Sequence, residues 1–161
     1  MPPVGPKNVL KKALAKGSPL RDHVEAGLQA LQRRDRNRVT ATPSTYVADS
    51  LALDEVTADS RGPERCWDYV LGTRDARRAL LGVEVHPATP GEVAAIIEKK
   101  RWADAELSRQ LVPGRRVKQW YWVASGSTRL SKNTAEYRRL GLEGIELVGE
   151  HLRLGDTGDR R

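Results

Sequence analysis

Residues 79–87, ALLGVEVHP, constrain this chain more than any other segment. The run is largely apolar, carries two valines and stops at a proline. Apolar residues at both parities mark a strand buried on both faces, the signature of a central strand in a covered sheet. The segment Thr89–Leu111 follows directly. Thr89 is a candidate N-cap, Pro90 fits the first helical position, and Glu92 supplies the acid of a capping box. Positions 93, 96, 97, 103 and 107 form one apolar or small stripe, which Leu111 continues, and Pro113-Gly114 ends the helix. Next, residues 117–125 read as a strand with Trp120 and Trp122 on one face and Tyr121 on the other. A strand, a long helix and a further strand across 79–123 predict a crossover. The fold class is therefore α/β, an α+β mixed sheet flanked by helices.

The flanking segments are read on the same signals. Residues 9–16 form a short helix closed by Gly17, and Ser18 with Pro19 opens a second helix over about 20–32. That helix is expected from the spacing of Leu20, Val24, Leu28 and Leu31. Tyr46-Val47 and 51–53 are candidate strands, 57–64 is a loop, and 66–72 is a strand. A short helix is expected over 133–140, stopped by Gly141, and 145–148 with 151–154 suggest a terminal hairpin. The expected organisation is a basic arm over 1–19, one α/β domain over 20–154 and a flexible tail over 155–161.

Charge narrows the partners. The net charge of +7 comes from 28 basic and 21 acidic side chains. Nine basic and three acidic ones lie in residues 1–40, leaving 19 and 18 for the rest. The basicity is an N-terminal feature beside a nearly neutral remainder, which suits phosphate contact by Lys11, Lys12, Arg33, Arg34, Arg36 and Arg38. One cysteine, Cys66, excludes an intrachain disulfide and a thiolate zinc cluster, and it reads as structural. No apolar run of 18 residues exists to span a membrane, and the N-terminus has no apolar core of a secretory signal. A cytoplasmic location is expected.

Chemistry is expected where carboxylates interrupt apolar strands. Glu84 shares a strand face with His86, opposite Val83 and Val85, and Asp68 sits in the same situation beside Tyr69-Val70-Leu71. A carboxylate there needs a partner, a metal or access to water. Two of them on neighbouring strands can converge on a hard cation such as Mg²⁺. Lys100 falls on the apolar stripe of the long helix and Lys99 flanks it, so either could reach a carboxylate. Asp54 and Glu55 are a possible second acidic cluster; His23 and His151 read as surface residues.

Asp68 in a strand, a charged hairpin, Glu84-Val85-His86 ending an apolar strand, then a helix and a strand together resemble the PD-(D/E)XK nuclease superfamily. The likeness covers roughly residues 20–125, most specifically 66–102. It implies a restriction-endonuclease-like core and an endonuclease, a hydrolase of phosphodiester bonds. It makes Asp68 and Glu84 ligands of magnesium or manganese. His86 stands where the family has its lysine, as a ligand or an acid/base, and Lys99 or Lys100 from the following helix is the replacement that the resemblance suggests. Glu25 is the candidate for an acid from the first helix. The implied partner is nucleic acid, DNA ahead of RNA, with no membrane and with a homodimer or protein partner possible. The alternative is a catalytically inactive nuclease-fold module that binds nucleic acid or a protein partner of the toxin or immunity type.

Overall fold

The apolar run around Val83 lies mid-sheet because both its faces and both its edges are covered. The computed structural model describes residues 8–155. In chain order the elements are α1 (Leu10–Ala13), β1 (Glu25–Ala26), α2 (Arg33–Arg36), β2 (Val39–Thr42), β3 (Val47–Leu51), α3 (Leu53–Arg61) and β4 (Tyr69–Thr73). There follow β5 (Leu80–His86), α4 (Val93–Gln110), β6 (Gln119–Ala124), α5 (Ala135–Leu142), β7 (Ile145–Leu147) and β8 (Leu152–Gly155). Six strands make a mixed sheet in the order β1-β3-β4-β5-β6-β7, while β2 and β8 pair in a separate two-stranded sheet. The pairs from β1 to β5 are antiparallel, and β5–β6 and β6–β7 are parallel. The crossover expected over 79–123 is present: α4 joins β5 to the parallel β6, with Val83 opposite Tyr121 and Val85 opposite Val123.

Two cores lie on the two faces of this sheet. On one side Leu10, Leu14, Trp67, Ile96, Leu107, Trp120 and Trp122 pack together. On the other Leu31, Val39, Leu71, Val83, Tyr121, Leu152 and Leu154 do so. The tryptophan pair and Tyr121 thus take opposite faces, as strand alternation requires. Gly82 makes this packing possible, since a Cβ there would lie 2.5 Å from the Trp120 ring. The edge of Trp67 meets that ring at 86° with centroids 5.2 Å apart.

Several local expectations fail for identifiable reasons. No helix spans 20–32. Leu20 and Val24 pack into the helix-side core, Leu28 and Leu31 into the opposite one. One helical face cannot serve both sides of a sheet. Ser18 caps a 3-10 turn, Pro19–His23, instead, and β1 and turns follow. The loop expected over 57–64 is helical as far as Arg61, because Leu53, Val56 and Thr57 present one face to the core and Gly62 (φ 65°) supplies the stop. The run 51–53 is the end of β3 and the start of α3 rather than a strand of its own. The final helix runs through Gly141 to Leu142. The terminal hairpin is absent: β7 pairs with β6, and β8 with β2. Thr89 makes no side-chain cap, and Glu92 is engaged by His86 instead.

The expected arm is part of the structure from residue 8 onward. Leu10, Ala13 and Leu14 are buried in the helix-side core. The buried Asp49 of β3 accepts hydrogen bonds from the backbone N–H groups of Val9, Leu10 and Lys11 at 2.9–3.1 Å, which satisfies the N-terminus of α1. Residues 1–7 of the arm and 156–161 of the expected tail lie outside the described residues.

Gly72 is where this contact is most exposed to change, because a Cβ there would lie 2.2 Å from Asp49 Oδ1 and 2.5 Å from Leu10 N. Gly72→Ala is expected to destabilise the fold by about 2 kcal/mol or more through overpacking. Gly17→Ala meets nothing within 4 Å and should stay within about 0.5 kcal/mol of the parent. Urea unfolding of both variants checks this; equal midpoints would refute it.

Candidate active site

The antiparallel register brings Tyr69 opposite Val83. One step further out, Asp68 and Glu84 meet, and there their side chains take over from the backbone ladder. The Asp68 N–H donates to Glu84 Oε1 at 2.9 Å, and the Val85 N–H donates to Asp68 Oδ2 at 3.0 Å. Each carboxylate therefore closes the end of the neighbouring strand. The Glu84 side chain is fully buried, and its Oε2 accepts from Lys99 Nζ at 2.6 Å. Lys99 reaches it from beside Ile96 and Ile97, the α4 residues that pack into the core on that side of the sheet.

His86 extends the group outward. Its Nε2 lies 2.5 Å from Glu92 Oε1, its Nδ1 3.6 Å from Glu84 Oε2. The His86 carbonyl accepts from Trp122 Nε1 at 3.0 Å, tying the end of β5 to β6. Beside it opens a cleft of about 640 Å³ lined by Asp68, His86 and Lys99, with Asp35, Asp54 and Glu55 adding acid and Arg34 and Arg38 adding base. Tyr69 donates its hydroxyl proton to Asp35 at 2.6 Å. Asp54 is held by the Arg61 guanidinium. Arg38 is spent on backbone carbonyls of Ala124, Ser125 and Glu150 at 3.1–3.2 Å.

The electrostatics follow from a shortage of positive charge. Burial pushes the Asp68 carboxyl up to about 6; the Val85 N–H and Lys99 offset this in part, while Asp54 and Asp35 add to it. Burial also raises Glu84, and the charge on Asp68 raises it further against the pull of Lys99. Burial works to lower Lys99, but Glu84 and Asp68 outweigh it, so the ammonium is held above its usual range. One cation serves two carboxyls, and the pair answers by holding protons more tightly than free carboxyls do. The Glu92 carboxyl is held below its ordinary value by the hydrogen bond to His86.

For a hard divalent cation the donor set is partly taken. Asp68 Oδ1 makes no hydrogen bond among the described residues, whereas Glu84 Oε1 and Oε2 are bonded by the Asp68 N–H and by Lys99. Among the described residues no group of three or more His, Cys, Asp and Glu is arranged to hold a metal. Mg²⁺, however, often takes one or two carboxylates and fills its other positions with water and substrate oxygens.

Of the two candidate lysines, Lys99 joins the site. Lys100 lies 5.7 Å above the Trp120 ring and 4.0 Å from Asp104. Glu25, expected on a first helix, is exposed on β1, in a neighbouring depression with Asp22 and His23. Arg34 and Arg38 line the cleft; Arg33 is exposed, and Arg36 donates to the Leu31 carbonyl. Lys11 and Lys12 sit on α1, which packs against β3 and β4 away from the cleft. Asp54 and Glu55 are at the start of α3, not in a strand, and both reach the cleft. Cys66 is buried, and burial pushes its thiol up to about 12, in keeping with a structural role. Sequence reasoning missed Asp35, Tyr69 and Glu92. Asp35 carried a faint signal as the lone acid of an arginine cluster; Glu92 was masked by its fit to a capping box.

Asp68 also links stability to pH. Its folded-state value lies above the ordinary 3.8, so the native state binds its proton more tightly than the unfolded chain. That contribution is fully present below pH 4 and is lost as pH rises through about 6. Asp68→Asn is expected to flatten this part of the pH–stability profile. Denaturant unfolding at a series of pH values reads it, and an unchanged slope would refute it.

No protein-family model, curated protein or solved structure matches this chain.

Proposed function

We propose that this chain is a metal-dependent phosphodiesterase acting on nucleic acid, built on a restriction-endonuclease-like core. The observation that carries this reading is that Asp68 and Lys99, which line one cleft, are both bonded to the buried Glu84 behind them. The β3–β4–β5 meander, the α4 crossover and the parallel β6 support it, because the resemblance implies that order of elements. Lys99 supplies from the helix the ammonium that the strand lacks, since His86 occupies the lysine position.

Asp68 and Glu84 would hold Mg²⁺ or Mn²⁺, which supplies a Lewis acid for phosphate oxygens and acidifies bound water. The chain's own groups do the rest. Lys99 bonds Glu84 Oε2, opposing in part the effect of burial on that carboxyl, and presents an ammonium to the charge that builds on the phosphoryl oxygens. Glu92 fixes the His86 ring by one nitrogen, which leaves Nδ1 on the Glu84 side to accept or return a proton. Water adds to phosphorus, the bond to one ester oxygen breaks, and that oxygen takes up a proton. Arg34, with a side chain 85% exposed, is placed to contact a neighbouring phosphate. On this reading the substrate is DNA ahead of RNA.

A second reading is favoured by one contact. Lys99 occupies Glu84 Oε2, one of the oxygens a cation would use. The same fold could then bind nucleic acid or a protein without cutting. Cation affinity separates the two readings. Because both carboxyls are raised, a cation would displace protons, so Mn²⁺ binding should strengthen from pH 5 to 8 under the first reading. Titration calorimetry that finds no binding at any pH favours the second.

Cleavage of supercoiled plasmid, single-stranded DNA and structured RNA, each with Mg²⁺ or Mn²⁺, tests the activity. Asp68→Ala and Lys99→Ala are each expected to lower the rate about 100-fold or more, and chelation should abolish it. Wild-type rates in both variants would overturn the assignment.

A further inference from the structure

The sheet has a second charged pole. The cleft lies at the end of β5 that carries Glu84 and His86. The opposite end carries Leu80, paired with Gly72 of β4 and joined to Lys118, whose N–H donates to the Leu80 carbonyl. Two loops meet there around a depression: 74–79 between β4 and β5, and 111–118 between α4 and β6. Arg77, Arg78, Arg115, Arg116 and Lys118 are all exposed on these loops. Arg115, Arg116 and Lys118 line the depression and none of the five enters an ion pair among the described residues, though Arg78 turns to the Tyr121 hydroxyl in a neighbouring depression. The local acid, Asp75, is turned to its own loop: it accepts from the Arg77 N–H at 3.0 Å and from the Tyr46 hydroxyl at 3.4 Å. Lys12 of α1 is exposed on the same side, since Leu10 of that helix lies against Gly72. Sequence arithmetic hides this patch, because residues 41–161 sum to nearly neutral.

We propose that this pole is a docking surface for the phosphate backbone of nucleic acid, separate from the cleft. Four of the five loop cations are arginines, whose planar fork matches phosphate oxygens in pairs. Among the described residues this surface exposes no large apolar side chain of the kind with which a basic face enters a membrane. Leu142, the large hydrophobic residue exposed among the described residues, lies on α5 and does not line the depression. The cleft and the pole are separated by the length of β5, about 20 Å for seven residues. A bound strand could therefore be held at the pole with no group of the catalytic cluster engaged. The proposal goes beyond the cleavage reading and does not depend on it.

The test is binding of a labelled duplex oligonucleotide to the full chain in EDTA, followed by fluorescence anisotropy across a salt series, so that no cleavage enters. The triple variant R115A/R116A/K118A is expected to bind at least tenfold more weakly at low salt. Its log–log salt slope should fall by about 2 to 3, the loss of up to three phosphate contacts. R77E, on the other loop, should weaken binding in the same direction while thermal melting of both variants stays at the parent value. Unchanged affinity and slope in both variants would overturn the proposal. So would loss of binding to phosphatidylcholine–phosphatidylserine vesicles with duplex binding intact, which would assign the pole to a lipid surface. Loss of plasmid cleavage in Asp68→Ala with duplex binding retained separates the two readings in favour of the pole, whereas parent binding by R115A/R116A/K118A and R77E overturns the pole whatever Asp68→Ala does to cleavage.

Discussion

The burial of Glu84 is the constraint on which the rest of this structure depends. A carboxylate with no exposed side-chain surface loses its hydration, and isolated it would be among the costliest groups in the fold. Two groups answer that cost: the Asp68 backbone N–H and the Lys99 ammonium bond its two oxygens, while the Asp68 side chain is itself tied to the Val85 N–H. The rotation of α4 is thereby set, because Lys99 must face β5 while Ile96, Ile97 and Leu107 fill the core. The end of β4 is set too, because Asp68 must stay in register with Glu84. Removing one partner of such a group leaves an uncompensated charge, whereas removing all of them could be neutral. An arrangement that stability alone does not require is a reason to look for chemistry in it.

Around that point the two layers on the sheet divide the work. The helix side supplies Lys99 and the packing that excludes water from Glu84. The other side supplies the wall of the cleft, where Asp35 follows the Leu31 turn and Tyr69 reaches it from β4. Arg38 ties this wall to the end of β6 and to the turn between β7 and β8 through three carbonyls. Its role is thus one of holding the cleft's shape, although its charge alone suggests phosphate contact.

The central third of the fold was legible in the sequence. Residues 79–123 carry a two-sided apolar strand, a long periodic helix and an alternating aromatic strand, each long enough for its period to be read. Asp68, Glu84, His86 and Lys99 were legible for a related reason: charge in a segment otherwise apolar stands out. Residues 18–60 were much less so, although the short helix over 9–16 is present as α1, Leu10–Ala13. Leu20, Val24, Leu28 and Leu31 have helical spacing, yet they serve two cores on opposite faces of the sheet. Spacing records only that a residue is buried, not on which side. The terminal strands misled in the same way, because IELV and HLRL look like hairpin partners when only their neighbourhood in the chain is considered. Each finds its partner elsewhere, β7 on β6 and β8 on β2.

The sequence by itself determined that the chain forms a mixed α/β sheet around 79–123, and that two carboxylates and a lysine interrupt its apolar segments. These are local properties, written in period and polarity. Only the tertiary structure decided which lysine serves Glu84, that Glu92 turns from the helix cap to His86, and that Glu25 stands apart. It also divided the cations between two ends of the sheet: Arg34 and Arg38 line the cleft, and Arg115, Arg116 and Lys118 line a depression at the other end of β5. Those outcomes depend on strand order and register, which bring together residues far apart in the chain and are set by the packing of both faces at once.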